Sequence, residues 1–150
     1  MKYVLALLSV LTLSGCGDTQ YAAYMMGSGN HSLSLTRSQE FLLADWDTYL
    51  IVARYPECQR RYPLKGIVSD RIKMDLYRVN PGVFILNAGK RWYVTETATC
   101  RFEQYKEAPP EPGELIGTFQ IKDEQLQYID KEPKKPADAA AEKADAASRK

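Results

Sequence analysis

Val83-Phe84-Ile85-Leu86-Asn87-Ala88-Gly89-Lys90-Arg91-Trp92-Tyr93-Val94-Thr95-Glu96-Thr97 is the stretch that decides the fold. Its first arm is a short apolar run, and its second is rich in aromatic and β-branched residues. The four residues between them are enough for a hairpin, with Gly89 available for a left-handed position. Successive side chains of a strand leave from opposite faces, so either Trp92 or Tyr93 must face a core.

The same period of two extends in both directions. His31-Ser32-Leu33-Ser34-Leu35-Thr36-Arg37 and Ile72-Lys73-Met74-Asp75-Leu76-Tyr77-Arg78 alternate apolar with polar, while Thr48 to Tyr55 is β-branched and aromatic on both faces. Cys100-Arg101-Phe102-Glu103 follows the first hairpin. Leu115 to Ile121 and Leu126 to Tyr128 flank a second, Lys122-Asp123-Glu124-Gln125. Short strands with turn signals this regular predict a mainly β fold over residues 30–130, a small antiparallel β-barrel or sandwich. Helix is expected only near Ser38 to Ala44 or Pro56 to Tyr62. Pro109-Pro110-Glu111-Pro112-Gly113 should be an exposed, stiff connection into the last hairpin.

Composition agrees with a folded domain. Apolar residues make up 45% and charged residues 26%, which argues against wholesale disorder and against an integral membrane bundle. A formal net charge of +1 gives no reason to expect nucleic acid as a partner.

The chain opens Met1-Lys2-Tyr3, runs largely apolar from Val4 to Leu13, and reaches Leu13-Ser14-Gly15-Cys16. One positive charge, a short apolar run and small residues before a cleavage point are the parts of a secretory signal. The run is too short for a bilayer core, which needs about 20 residues. Leu-Ser-Gly-Cys resembles the lipobox of bacterial lipoproteins. That resemblance implies a signal peptide over 1–15, cleavage before Cys16, and a diacylglyceryl thioether and an acylated amine on Cys16. Three acyl chains, at about 0.8 kcal/mol per buried methylene, make a permanent anchor. In such lipoproteins an aspartate directly after the cysteine tends to retain the protein in the inner membrane. Here that place is Gly17, so the resemblance implies the outer membrane, facing the periplasm.

Residues 16–29 then read as the lipidated cysteine and a flexible tether, ending in Gly27-Ser28-Gly29, with a reach of roughly 20 Å. Tyr21, Tyr24, Met25 and Met26 are unusual in a spacer and suit a membrane interface or a groove on the body. Residues 131–150 are an Ala/Lys/Pro tail without a large apolar residue. Nothing there offsets the ordering entropy of about 1–2 kcal/mol per residue, so a disordered tail is expected.

Lipidation of Cys16 leaves Cys58 and Cys100 as an even pair in an oxidising compartment, where a disulfide is expected. Their spacing is far from Cys-x-x-Cys, and a structural bridge is the natural reading. Catalytic vocabulary is missing. His31 is the single histidine, and no zinc, nucleophile-elbow or phosphate-loop motif occurs. No metal, cofactor or catalytic residue is assigned. Asp45 with Asp47 and Asp123 with Glu124 read as turns or solvated edges.

The one dense constellation is Arg54-Tyr55-Pro56-Glu57-Cys58-Gln59-Arg60-Arg61-Tyr62-Pro63. Arginine and tyrosine are enriched where proteins meet partners. Arg54, Tyr55, Arg60, Arg61 and Tyr62 are therefore the candidate contact residues, in a loop that the bridge pins. Arg60 and Arg61 should point to solvent, where they could fork onto a phosphate or carboxylate of an envelope polymer. The expected function is a lipid-anchored, non-enzymatic binding or accessory module for an envelope protein or anionic polymer. The layout is also similar to a family of small disulfide-bridged β-barrel lipoproteins that inhibit lysozyme, which implies inhibition of a cell-wall hydrolase as an alternative. That family's serine-glycine loop leading to a tyrosine is absent from the body, so no inhibitory residue carries over. A small hydrolase with dispersed carboxylates is the enzymatic alternative.

Overall fold

The computed structural model describes residues 17–27, 29–67 and 69–131. Cys16, the signal peptide expected over 1–15 and the tail beyond Lys131, expected to be disordered, lie outside the described residues. Ten strands form: β1 Asp18–Met26, β2 His31–Gln39, β3 Asp47–Arg54, β4 Cys58–Pro63, β5 Lys73–Asn80, β6 Val83–Ala88, β7 Arg91–Glu96, β8 Arg101–Tyr105, β9 Glu114–Lys122 and β10 Gln125–Asp130. A 3-10 turn at Ser69–Arg71 precedes β5.

The strands make two antiparallel sheets, a meander β1-β2-β3-β4 and a six-stranded sheet in the order β10-β9-β5-β6-β7-β8. The fold is mainly β with one disulfide, and the sheets are not closed into a barrel. In the second sheet the connection from Lys106 to Gly113 carries the chain from the β8 edge back to β9, which pairs with β5. The Pro109-Pro110-Glu111-Pro112 stretch lies in that connection.

Both expected hairpins form. Ala88 pairs with Arg91 across Gly89-Lys90, and Gly89 has φ +63°. Gln125 pairs with Lys122 across Asp123 (φ 51°) and Glu124 (φ 63°). Two central residues with positive φ define the type I′ turn that matches strand twist.

Three sequence-based expectations are corrected. Residues 18–26, expected to be a tether, are β1, paired along their whole length with β2. Residues 58–63, expected to be loop or helix, are β4, paired with β3. Residues 38–44 hold no helix: β2 runs to Gln39, and a turn closes with Ala44 N–H donating to the Phe41 carbonyl at 3.0 Å. β1 and β4 are the two edges of the first sheet. Each meets one ladder neighbour only, so local pattern specifies them weakly and tertiary pairing decides.

The core fills the space between the sheets. Leu33 and Leu35 of β2 and Leu50 and Val52 of β3 face Met74 and Leu76 of β5, Phe84 and Leu86 of β6, and Phe119 of β9. All nine are at most 2% exposed, and each large side chain removed from water this fully contributes about 1.5–3 kcal/mol. Tyr93 is the core-facing member of the Trp92-Tyr93 pair.

Each margin of the core has an aromatic cluster that joins the sheets. On the β1 side Tyr24 meets Phe84 (5.8 Å) and Tyr128 (5.3 Å), and Tyr128 meets Phe119 (4.8 Å). On the β4 side Tyr62 stacks on Phe102 (4.8 Å), which stacks on Tyr93 (5.4 Å). The Cys58–Cys100 disulfide lies on this second margin, with Cα atoms 6.1 Å apart, and ties β4 of one sheet to the start of β8 of the other.

Candidate binding cleft

A cleft of about 680 Å3 opens between the sheets where β1 ends and β2 begins. That volume lies within the usual range for small-ligand sites. Tyr24, Met26, Phe84 and Ile116 give it an apolar wall. His31 and Arg54 come from the first sheet, and Arg78, Glu114 and Asp130 from the second.

His31 and Arg54 are direct cross-strand partners in the β2–β3 ladder. The Tyr55 N–H donates to the Asn30 carbonyl at 2.9 Å, which fixes the β1–β2 turn against the β3–β4 hairpin. On the opposite wall Arg78 Nη2 donates to Glu114 Oε2 at 2.7 Å, and this bond raises the pKa of the arginine. The Thr97 N–H and Oγ1 both donate to the Gly82 carbonyl, at 2.9 and 3.3 Å, and hold that rim.

Arg54 differs from Arg78. Its Nε is buried and has no hydrogen-bond partner among the described residues. Among the described residues no carboxylate pairs with it. A buried donor without an acceptor costs about 1–3 kcal/mol, and more on a charged group. A ligand that supplies an acceptor at this point removes that cost.

The five candidate contact residues do not form one surface. Arg54 turns into the cleft. Tyr55 is exposed at the hairpin tip and donates its hydroxyl to Gln59 Oε1. Tyr62 packs inward on Phe102, with its hydroxyl donating to the Cys100 carbonyl. Arg60 and Arg61 are both exposed, as expected. They are consecutive on a strand, however, and leave β4 from opposite faces. Arg61 lies over the Tyr49 ring at 3.5 Å, a cation–π contact. The joint fork of Arg60 and Arg61 on one anion is therefore corrected. Tyr24 and Met26, singled out as odd in a spacer, line the cleft with His31. The signal that marked them was apolar bulk in a segment expected to be solvated.

A second cleft, of about 600 Å3, lies at the other end of β5. Arg71, Lys73, Lys90 and Arg91 surround it, with Asp75 the carboxylate among its lining. Asp75 accepts the Thr118 hydroxyl at 2.7 Å, and Arg91 Nη1 donates to the Lys65 carbonyl at 2.8 Å. This cleft is cationic. No His/Cys/Asp/Glu cluster of metal-binding size occurs among the described residues. No family model, curated protein or solved structure matches the chain.

Proposed function

We propose that this chain is a lipid-anchored, non-enzymatic binding module of the bacterial cell envelope, held at Cys16 in the outer membrane and facing the periplasm. Its cleft takes a carboxylate-bearing segment of an envelope polymer. The observation that carries this reading is Arg54 Nε, buried at the cleft without an acceptor. A guanidinium matches a carboxylate in a two-bond fork, stronger than a neutral hydrogen bond. Tyr24, Met26 and Phe84 supply apolar area for aliphatic groups beside that carboxylate. The peptide stems of a cell wall have this chemistry, being short chains with free carboxylates and methyl side groups.

Position supports the same reading. The cleft lies at the far end of β1 from Gly17, and a strand of nine residues spans roughly 25–30 Å. A site so placed faces away from the membrane that holds Cys16.

Full-length protein in non-ionic detergent, mixed with purified wall sacculi and sedimented, tests the proposal. Wild-type protein and Arg60→Ala should sediment with the sacculi, and Arg54→Gln should bind at least tenfold more weakly. Equal sedimentation of Arg54→Gln and wild type overturns the cleft as the site. Loss by Arg60→Ala alone moves the contact to β4. Sacculus turbidity decides the alternatives: a fall with the protein alone supports a hydrolase, and protection against added lysozyme supports an inhibitor.

A further inference from the structure

Among the described residues, three consecutive large apolar side chains stand exposed at one loop tip. Phe41, Leu42 and Leu43, between β2 and β3, are 55%, 77% and 90% exposed. The loop is a defined turn. The Ala44 N–H donates to the Phe41 carbonyl at 3.0 Å, and Gln39 Nε2 donates to the Ala44 carbonyl at 2.5 Å. Leu43 has φ 75°, a region that leucine rarely adopts. Three large apolar side chains held outward in water need a covering surface.

The neighbour of Cys16 points to the identity of that surface. Gly17 packs against the base of this loop: a methyl group in place of its hydrogen would collide with the Gln39 carbonyl oxygen and come within 2.8 Å of that of Glu40. Gly17 follows Cys16 directly, and β1 begins one residue later. No spacer separates the acylated residue of the anchor reading from the loop. The second sheet brings its cationic cleft to the same end. Leu126 donates its N–H to Gln20 of β1, Leu126 pairs with Ile121, and Ile121 bonds to Ile72 beside Arg71 and Lys73.

We infer that Phe41-Leu42-Leu43 is a membrane-docking tip that enters the bilayer beside the acyl chains on Cys16, with the body seated on the headgroups. Large apolar side chains at an interface add to an acyl anchor in proportion to the area they bury. Arg71, Lys73, Lys90 and Arg91 suit headgroup phosphates. The inference rests on the anchor reading of Cys16, and it turns that reading from a flexible leash into a fixed orientation.

The test uses the protein as the expressing bacteria process it, in vesicles of phosphatidylethanolamine and phosphatidylglycerol. With Cys58 and Cys100 bonded and Cys16 acylated, Leu42→Cys offers one free thiol for a nitroxide label, and Tyr55→Cys places the control label at the far end. Position 42 is expected to show high accessibility to oxygen and low accessibility to a water-soluble nickel chelate, the reverse of position 55. Protein that floats with the vesicles while both labels read as aqueous overturns the docking tip and leaves the anchor standing. Protein that fails to float overturns the anchor reading, and the docking tip with it.

Discussion

Gln20 and Arg37 face each other in the β1–β2 ladder and are also joined through their side chains, Arg37 Nε donating to Gln20 Oε1 at 3.0 Å. The same Oε1 accepts the Leu126 N–H at 3.0 Å. Gln20 Nε2 and Arg37 Nη2 both donate to the Glu124 carbonyl, at 3.1 and 3.0 Å. Both side chains are buried, and the Arg37 guanidinium lies 4.2 Å from the centre of the Trp46 ring. Burial lowers the pKa of Arg37, and Asp18 and Asp70 oppose that shift. One polar cluster thus holds the β1 edge of the first sheet to the last hairpin of the second, while the disulfide holds the opposite margin.

Gln20→Leu should destabilise the protein by about 3 kcal/mol, because two buried donors lose their acceptor at about 1–3 kcal/mol each. Gln20→Glu keeps an acceptor beside the guanidinium and should lose clearly less. Urea unfolding of the two variants checks the point. Equal midpoints would show that the acceptor contributes nothing.

Glu124→Gly should stabilise by about 0.5–1 kcal/mol. A non-glycine residue in the left-handed region costs roughly 1–2 kcal/mol, partly offset by the greater freedom of glycine in the unfolded chain. The Glu124 side chain is exposed, and its backbone carbonyl still accepts from Gln20 and Arg37 after the change. A lower thermal midpoint than wild type would contradict this account of the turn.

Opening the Cys58–Cys100 bridge, which spans a sequence separation of 42, should lower stability by roughly 4 kcal/mol on the chain-entropy model. Unfolding with and without reductant, beside the Cys58→Ala plus Cys100→Ala variant, measures it. The loss should appear as a shift in midpoint, since the aromatic cluster of Tyr62, Phe102 and Tyr93 keeps this margin packed.

Alkaline pH should destabilise the fold through its tyrosines. Burial raises the pKa of Tyr128 well above the ordinary value, with Asp130 adding to the shift, and burial also raises Tyr77 and Tyr93. Folded-state values above unfolded ones mean that this stabilisation is complete below about pH 10 and is lost as pH rises beyond it. Tyr128→Phe should make the fall above about pH 10 shallower. It should also weaken the fold at neutral pH by about 1 kcal/mol, through the hydrogen bond that Tyr128 donates to the Ile116 carbonyl at 3.2 Å. An unchanged slope would remove Tyr128 from the explanation.

Cys16→Ser should abolish fatty-acid labelling and release the body from the membrane. Label retained on the serine variant would end the anchor reading. Recovery of wild-type protein in the inner membrane would overturn the leaflet inferred from Gly17.

Much of this protein was legible from local pattern. Leu33, Leu35, Met74 and Leu76 fall at alternate positions because the inward side chains of β2 and β5 are buried on that face, and burial writes itself into the sequence at period two. The disulfide was legible because its two cysteines remain as a pair once Cys16 is set aside. β1 and β4 were not legible. β1 turns Gln20 inward and Tyr21, 75% exposed, outward, opposite to what polarity alone assigns. β4 carries Arg60 and Arg61 on successive positions, so its two faces look alike. Gln20 is tolerated inside because Arg37, Leu126 and Glu124, distant in the chain, satisfy it. Arg54 reads in the sequence as one more charge in a polar loop, and only the meeting of two sheets encloses its Nε at the cleft. Sequence determined which segments extend, apart from the edge strands β1 and β4. Tertiary structure decided which polar groups are buried and whether they find partners, because those partners come from strands that no local window contains.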